Sequence, residues 1–273
     1  MGNENDSRCR LPQMIPSFKP HKIISMKKAT SITFIFAAAF FWQCTKDAGT
    51  ALIGTPSGTG GSLARFTLLG SYLYTVDDKQ LKVYDVANAS DPVLKNTIDI
   101  GISIETIFPF KDKLFIGSSS VVYIYSVADP AKPQKLSEAV SPQIRWRCDP
   151  VVAKDTVAYA TLRTNGPCGG TTSVLAYFDI KDINNPVQKG VFSVTEPYGL
   201  GYADTALYVC DRTGLMVFNI SKAYQPKYLK TISGSSYVDV IPYGDLLICW
   251  VKEGMIVYDI TDNLNPVLLS KII

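Results

Sequence analysis

The sequence predicts an all-β chain: a β-propeller of about five four-stranded blades, preceded by a signal peptide and a flexible tether. The first observation behind this is a five-fold repeat. An aromatic and a polar residue are followed by a proline seven residues beyond the polar one, at Tyr84-Asp85…Pro92, Tyr125-Ser126…Pro133, Phe178-Asp179…Pro186, Phe218-Asn219…Pro226 and Tyr258-Asp259…Pro266. The second is the period. Successive copies lie 41, 53, 40 and 40 residues apart (126−85, 179−126, 219−179, 259−219), and units of about 40 residues are stacked supersecondary modules. The third is the pattern inside each unit, where short Val-, Ile-, Tyr- and Phe-rich runs alternate with turn residues and helical periodicity is absent.

Residues 1–25 carry no periodic pattern and read as an upstream extension or disordered leader, with Met26 as the expected true start. Residues 26–43 read as a signal peptide. Met26-Lys27-Lys28 is basic, and Ile32 to Trp42 is apolar apart from Thr33, a run too short to cross a bilayer as a helix. Cys44 at the end of this run resembles a bacterial lipoprotein cleavage site, in which the thiol is acylated and becomes the mature N-terminus. Phe41 and Gln43 depart from that pattern, and an ordinary cleaved signal with an incidental Cys44 is the alternative. Residues 44–61 form the tether, rich in Gly, Ser and Thr from Gly49 onward. The resemblance implies an exported outer-membrane lipoprotein, at the cell surface or facing the periplasm, that touches the membrane through its acyl anchor only.

Residues 62–273 form the repeat domain, long enough for one sizeable all-β core. Its second unit shows the strands most plainly: Ile104–Phe110, Leu114–Gly117, Val121–Val127 and Gln134–Val140, separated by Lys111-Asp112-Lys113, Ser118-Ser119-Ser120 and the loop ending at Pro133. Four strands per unit describe a propeller blade. The third strand of each unit is nearly all apolar, as in Leu81-Lys82-Val83-Tyr84-Asp85-Val86, so it suits a strand covered on both faces by neighbouring blades. The polar residue after the aromatic suits a loop-proximal site where its oxygen accepts backbone N–H groups. The proline belongs where a missing N–H costs least. A polar residue repeated in every unit, a carboxylate at Asp85, Asp179 and Asp259, is therefore read as a brace rather than a catalytic group.

Residues 81–86, 122–127, 175–180, 215–220 and 255–260 resemble the signature strand of the bacterial LVIVD-repeat proteins, with Ser126 and Asn219 in place of the usual Asp. The resemblance implies a β-propeller-like fold over Leu63 to Ile273 and no catalytic residues. Five blades follow if Leu63–Leu69 supplies the first inner strand. Two routes remain for closing the ring: an edge strand added from Thr50–Thr55, or packing alone.

The only histidine, His21, precedes the expected cleavage site, so histidine-based catalysis and histidine metal sites are removed from the mature chain. A net charge of +3 gives no nucleic-acid footprint, and no cofactor or metal motif is present. The loops leading into the inner strands share a face with the turns between second and third strands. On that face Arg145, Arg147, Arg163, Glu105, Tyr198 and Tyr237 are the candidate ligand-binding residues, because arginines and flat aromatics suit acidic glycans. The 53-residue interval places about 13 extra residues in the 163–173 loop, and Cys148 with Cys168 is the expected disulfide. Cys210 and Cys249 are expected as buried free thiols on opposite sheet faces.

These readings point to a non-enzymatic, monomeric binding or scaffolding module with a glycan or protein partner. The alternative is a carboxylate-dependent glycan hydrolase or lyase drawing on Glu105, Asp149, Glu196 or Asp239. An oligomeric structural protein would instead need a large exposed apolar patch.

Overall fold

A computed structural model describes residues 61–119, 121–141, 150–163 and 173–272. Every regular element in it is a strand, and the strands form five four-stranded antiparallel sheets. Blade 1 holds β1 (Phe66–Leu69), β2 (Tyr72–Val76), β3 (Gln80–Asp85) and β4 (Val93–Asp99). Blade 2 holds β5 (Ile104–Phe110), β6 (Lys113–Ser118), β7 (Val122–Ser126) and β8 (Gln134–Ala139). Blade 3 follows with β9 (Val151–Lys154), β10 (Val157–Leu162), β11 (Ser173–Asp179) and β12 (Val187–Val194). Blade 4 comprises β13 (Pro197–Ala203), β14 (Ala206–Asp211), β15 (Gly214–Asn219) and β16 (Lys227–Ile232). Blade 5 comprises β17 (Tyr237–Tyr243), β18 (Leu246–Val251), β19 (Gly254–Asp259) and β20 (Val267–Ile272). Each sheet runs in sequence order from the inner to the outer strand, so every blade is a contiguous piece of chain.

The five-fold repeat is a turn with a fixed wiring. In every blade the oxygen of the repeated polar side chain accepts the N–H two residues on: Asp85 from Ala87, Ser126 from Ala128, Asp179 from Lys181, Asn219 from Ser221 and Asp259 from Thr261. The intervening residue donates its N–H to the turn between the first two strands, as Val127 does to Asp112 and Ile220 to Thr205. Beyond the proline, every third and fourth strand slip register at the aromatic, leaving one bulged residue opposite it. Two of these residues, Lys95 and Lys189, reach back to Asp85 and Asp179 at 3.4 and 3.3 Å. Bracing explains the seven-residue offset, and the repeated carboxylates are held at pKa values below the ordinary range first by those N–H donors in Asp85, Asp179 and Asp259.

Packing comes from the alternation of side chains across each strand. On β3, Leu81 and Val83 face blade 2, and on β15 Leu215 and Val217 face blade 5, while Met216 and Phe218 face blade 3. Four buried clusters result, joining blades 1–2, 2–3, 3–4 and 4–5. Tyrosine hydroxyls tie two of these interfaces further: Tyr74 donates to the Pro130 carbonyl (2.8 Å) and Tyr208 to the Asn263 carbonyl (2.6 Å). Cys210 and Cys249 lie on opposite faces of their own sheets yet meet in the 4–5 cluster, buried and unbonded. Burial pushes the Cys249 thiol up to about 12.

Among the described residues no core cluster joins blade 5 to blade 1. Near the axis the gap is spanned by the segment before β1. The Ala64 carbonyl accepts the Ile107 N–H of β5 at 2.9 Å, while Ser62 and Leu63 reach Asp239 on β17. Of the two closure routes, Thr50–Thr55 lies outside the described residues, and blade-to-blade packing stops at four interfaces.

Leu215→Ala removes a side chain fully buried between blades 4 and 5, and is expected to cost about 2–5 kcal/mol in chemical denaturation. A loss well under about 1 kcal/mol would show that this interface does not carry the fold.

Candidate functional site

The loops leading into the inner strands are bonded to the turns joining second and third strands, which makes one continuous face. The same bond recurs sixteen residues apart in three blades: Ser119 N–H to the Ser103 carbonyl, Arg212 to Glu196, and Lys252 to Ser236 (119−103, 212−196, 252−236). Blade 4 adds a buried acid to this frame. Asp211 accepts the N–H groups of Thr195 and Glu196 on one oxygen, and the N–H and hydroxyl of Thr213 on the other. With all four donors satisfied, the loop carrying Glu196 is rigidly placed.

Glu196 is the centre of the charged cluster on this face. It accepts the Tyr198 hydroxyl at 2.8 Å and lies between two guanidinium groups, Arg163 at 3.9 Å and Arg212 at 3.8 Å. Both arginines stand at ion-pair rather than hydrogen-bond distance. The Arg163 guanidinium also sits 4.6 Å from the centroid of the Tyr198 ring. The backbone of Tyr198 is fixed from blade 3, where Thr161 donates its hydroxyl to the Tyr198 carbonyl at 2.8 Å. Burial, then the bond to Glu196, raises the pKa of Tyr198. Two cations surround one carboxylate here, and Arg212 is largely in solvent.

Of the ligand-binding candidates, the structure brings together Arg163 and Tyr198 and adds Arg212, from the turn between β14 and β15, which was not among the candidates. Glu105 is half-buried on β5 in blade 2, with blade 3 between it and Tyr198. Tyr237 corrects the expectation for its position: its side chain is buried between blades 4 and 5, and its hydroxyl shares a 2.5 Å hydrogen bond with Tyr258. Alternation at the β17 bulge decides this, and the bulge was not legible in the sequence. Arg145, Arg147, Asp149, Cys148, Cys168 and the lipidation candidate Cys44 lie outside the described residues, as does most of the 163–173 loop.

The third blade's extra length is divided rather than concentrated. Nine residues fall between the turn at Thr156 and Asp179 (179−156 = 23 against 219−205 = 14 in blade 4). Four more precede β9 (156−126 = 30 against 205−179 = 26).

The channel offers less. A cavity of about 180 Å³ on the axis is lined by Phe108, Val152, Leu200, Tyr202 and Val240, with Ser62 at one side. That is below the usual size of a small-molecule site. Beside it, Asp239 has both carboxylate oxygens engaged: the Ser62 hydroxyl and Val240 N–H on one, the Leu63 N–H on the other. Glycines crowd it, since a Cβ at Gly61 or Gly199 would fall 2.0 Å from a carboxylate oxygen. Ser62 in turn accepts the Leu200 N–H at 2.7 Å, so the acid ties the segment before β1 to blades 4 and 5. Burial pushes Asp239 up to about 6, against the pull of those donors. Among the described residues, no group of three or more His, Cys, Asp or Glu side chains is placed to hold a metal ion.

No protein-family model matches the chain, and no curated protein matches it. Solved structures do. The chain is similar to the periplasmic gluconolactonase of Pseudomonas aeruginosa, at 14% identity and TM-score 0.57, over 74% of this chain and 67% of that one. It is similar to apo AztD of Citrobacter koseri, at 14% identity and TM-score 0.54, over 73% and 58%. BamB of Moraxella catarrhalis matches at 8% identity and TM-score 0.51, over 70% and 56%. The chain thus spans 56% to 67% of the lengths of these proteins. At such identities the likeness is one of fold alone, and it is a β-propeller fold.

A folded pKa raised above the unfolded 3.8 means that Asp239 favours folding while protonated, and that this contribution is lost as pH rises through about 6. Wild-type stability is expected to exceed its pH 7.5 value at pH 4.5 by up to about 2–3 kcal/mol more than Asp239→Asn does. Parallel stability curves for the two proteins, measured in urea, would refute the buried acid's role.

Proposed function

We propose that the chain is an exported, lipid-anchored β-propeller of LVIVD-repeat type that acts as a non-enzymatic binding module for acidic glycans. The observation that carries this is the cluster on the loop face. Arg163 and Arg212 flank the carboxylate of Glu196, and the Arg163 guanidinium lies over the Tyr198 ring at 4.6 Å from its centroid. Arg212, with 70% of its side chain exposed, presents its guanidinium to an acidic sugar there, and Tyr198 offers the kind of surface on which sugar rings rest. Guanidinium groups suit such a ligand because they bind a carboxylate through two parallel N–H donors.

The glycan-hydrolase reading loses support at Asp239. A catalytic carboxylate needs an oxygen free for the substrate or a water, and both of its oxygens are committed to the segment before β1. Glu196 is engaged within the protein as well, accepting the Tyr198 hydroxyl and flanked by two guanidinium groups.

On an array of neutral and acidic glycans, the protein is expected to be retained by the acidic ones. Arg212→Ala is expected to weaken that binding by about 10-fold or more. Equal retention on neutral and acidic glycans, or none at all, would sink the reading. For the anchor, cells fed labelled palmitate are expected to incorporate it into the wild-type chain and not into Cys44→Ala. Absence of label with Cys44 intact would leave an ordinary cleaved signal.

A further inference from the structure

The channel between the inner strands is crossed, at its loop-face end, by the segment before β1. The Ala64 carbonyl accepts the Ile107 N–H of β5 at 2.9 Å. The Ser62 hydroxyl accepts the Leu200 N–H of β13 at 2.7 Å and donates to Asp239 of β17 at 3.2 Å. Bonds to three inner strands make this segment a floor, and the cavity of about 180 Å³ lies beyond it. Burial falls along the cavity from that floor outward. Ser62, Leu200 and Val240 are fully buried, whereas Tyr202 and Pro242, next to last in β13 and β17, are half-buried. The mouth therefore faces the braced rim, away from Glu196 and its arginines.

The lining is apolar at both depths. Val152 of β9, with Leu200 and Val240, supplies aliphatic surface inside, and Pro242 does so at the mouth. Phe108 of β5 and Tyr202 add two rings, with centroids 6.5 Å apart and planes inclined by 58°. Such a pair forms an aromatic corner against which a third ring can pack edge to face. Ser62 brings a hydroxyl, but its proton goes to Asp239, so it has none left for an incoming molecule. A charged or hydroxyl-rich molecule would exchange its hydration for an apolar wall. Volume narrows the choice further. Sites for drug-sized ligands begin at about 300 Å³, whereas an apolar cavity of about 150 Å³ stays dry and takes up benzene.

We infer that this pocket is a second binding site, for a small uncharged aromatic molecule of a single ring, which enters from the braced rim and seats its ring against Phe108 and Tyr202. The site is independent of the acidic-glycan reading, since it lies toward the other rim, selects the opposite chemistry and shares no residue with the charged cluster. Four blades and the segment before β1 assemble it, so it exists only in the folded chain, and occupancy is expected to raise Tm.

Titration of the full chain with toluene, followed by NMR, tests this. Saturable binding is expected with a Kd of about 1 mM or tighter, and with nuclear Overhauser contacts from toluene to the rings of Phe108 and Tyr202. Benzoate, the same ring bearing a charge, is expected to bind at least about 10-fold more weakly. Tyr202→Ala is expected to weaken toluene binding by about 10-fold or more, while Tyr202→Phe, which keeps the ring, leaves it unchanged. Absence of saturable binding overturns the inference. So do contacts to the exposed Trp250 in place of Tyr202, benzoate bound as tightly as toluene, or undiminished binding in folded Tyr202→Ala.

Discussion

Face-to-face apolar packing between consecutive sheets is the constraint on which everything else in this molecule depends. A four-stranded sheet with two apolar faces cannot bury either one alone. Each blade therefore takes its stability from its neighbours, through side chains such as Leu81, Phe115, Leu175 and Leu215 that have no exposed surface at all. Where a neighbour stands on each side, both faces of the second strand are buried along their whole length, as in β10 and β14. Where one is missing, alternation reappears, as in β18. The burial pattern of a strand thus reports how many neighbours its blade has.

That constraint divides the two rims of the propeller. One rim carries the braced turn, the bulge and the proline, repeated because every blade must send its chain outward and return it in the same register. Substituting Ser126 or Asn219 for Asp leaves the acceptor in place, which is why the repeat tolerates those changes. The other rim has a common backbone bond but no common side chains, so it is free to vary. The charged cluster falls on this second rim, where β10 ends at Leu162 and β11 begins at Ser173. Blade 3 can lengthen there without disturbing β10 or β11, whose pairing is unbroken from Val157 to Leu162.

The strands, the blade count and the bracing role of the repeated polar residue were legible in the sequence, because each is a local pattern copied five times. The strand limits read for the second unit agree with β5 to β8 to within a residue or two. The thiols Cys210 and Cys249 were legible for the same reason, since their register follows from the repeat. Tyr237 was not, because one bulged residue at the start of β17 reverses its direction and nothing in the local composition marks it. Asp239 was legible only as a carboxylate on the channel side. Its partners, Ser62 and Leu63, lie 177 and 176 residues away, and no repeat relates them. Pairings made once, between distant segments, leave no periodic trace.

The clamp at Asp239 and the bare wall of blade 5 are two consequences of the same missing interface. β17 pairs Asp239 with Trp250 across the sheet, so the acid and the exposed indole belong to neighbouring positions on one blade. Near the axis, where the inner strands converge, three residues before β1 suffice to fill the opening, and a short polar contact through Ser62 does so. Toward the rim the blades diverge, and a segment of that size cannot cover Trp250, Met255 and Ile272. The desolvation that raises the Asp239 pKa is thus local to the axis, while Trp250, Met255 and Ile272 of the same blade stay exposed toward the rim.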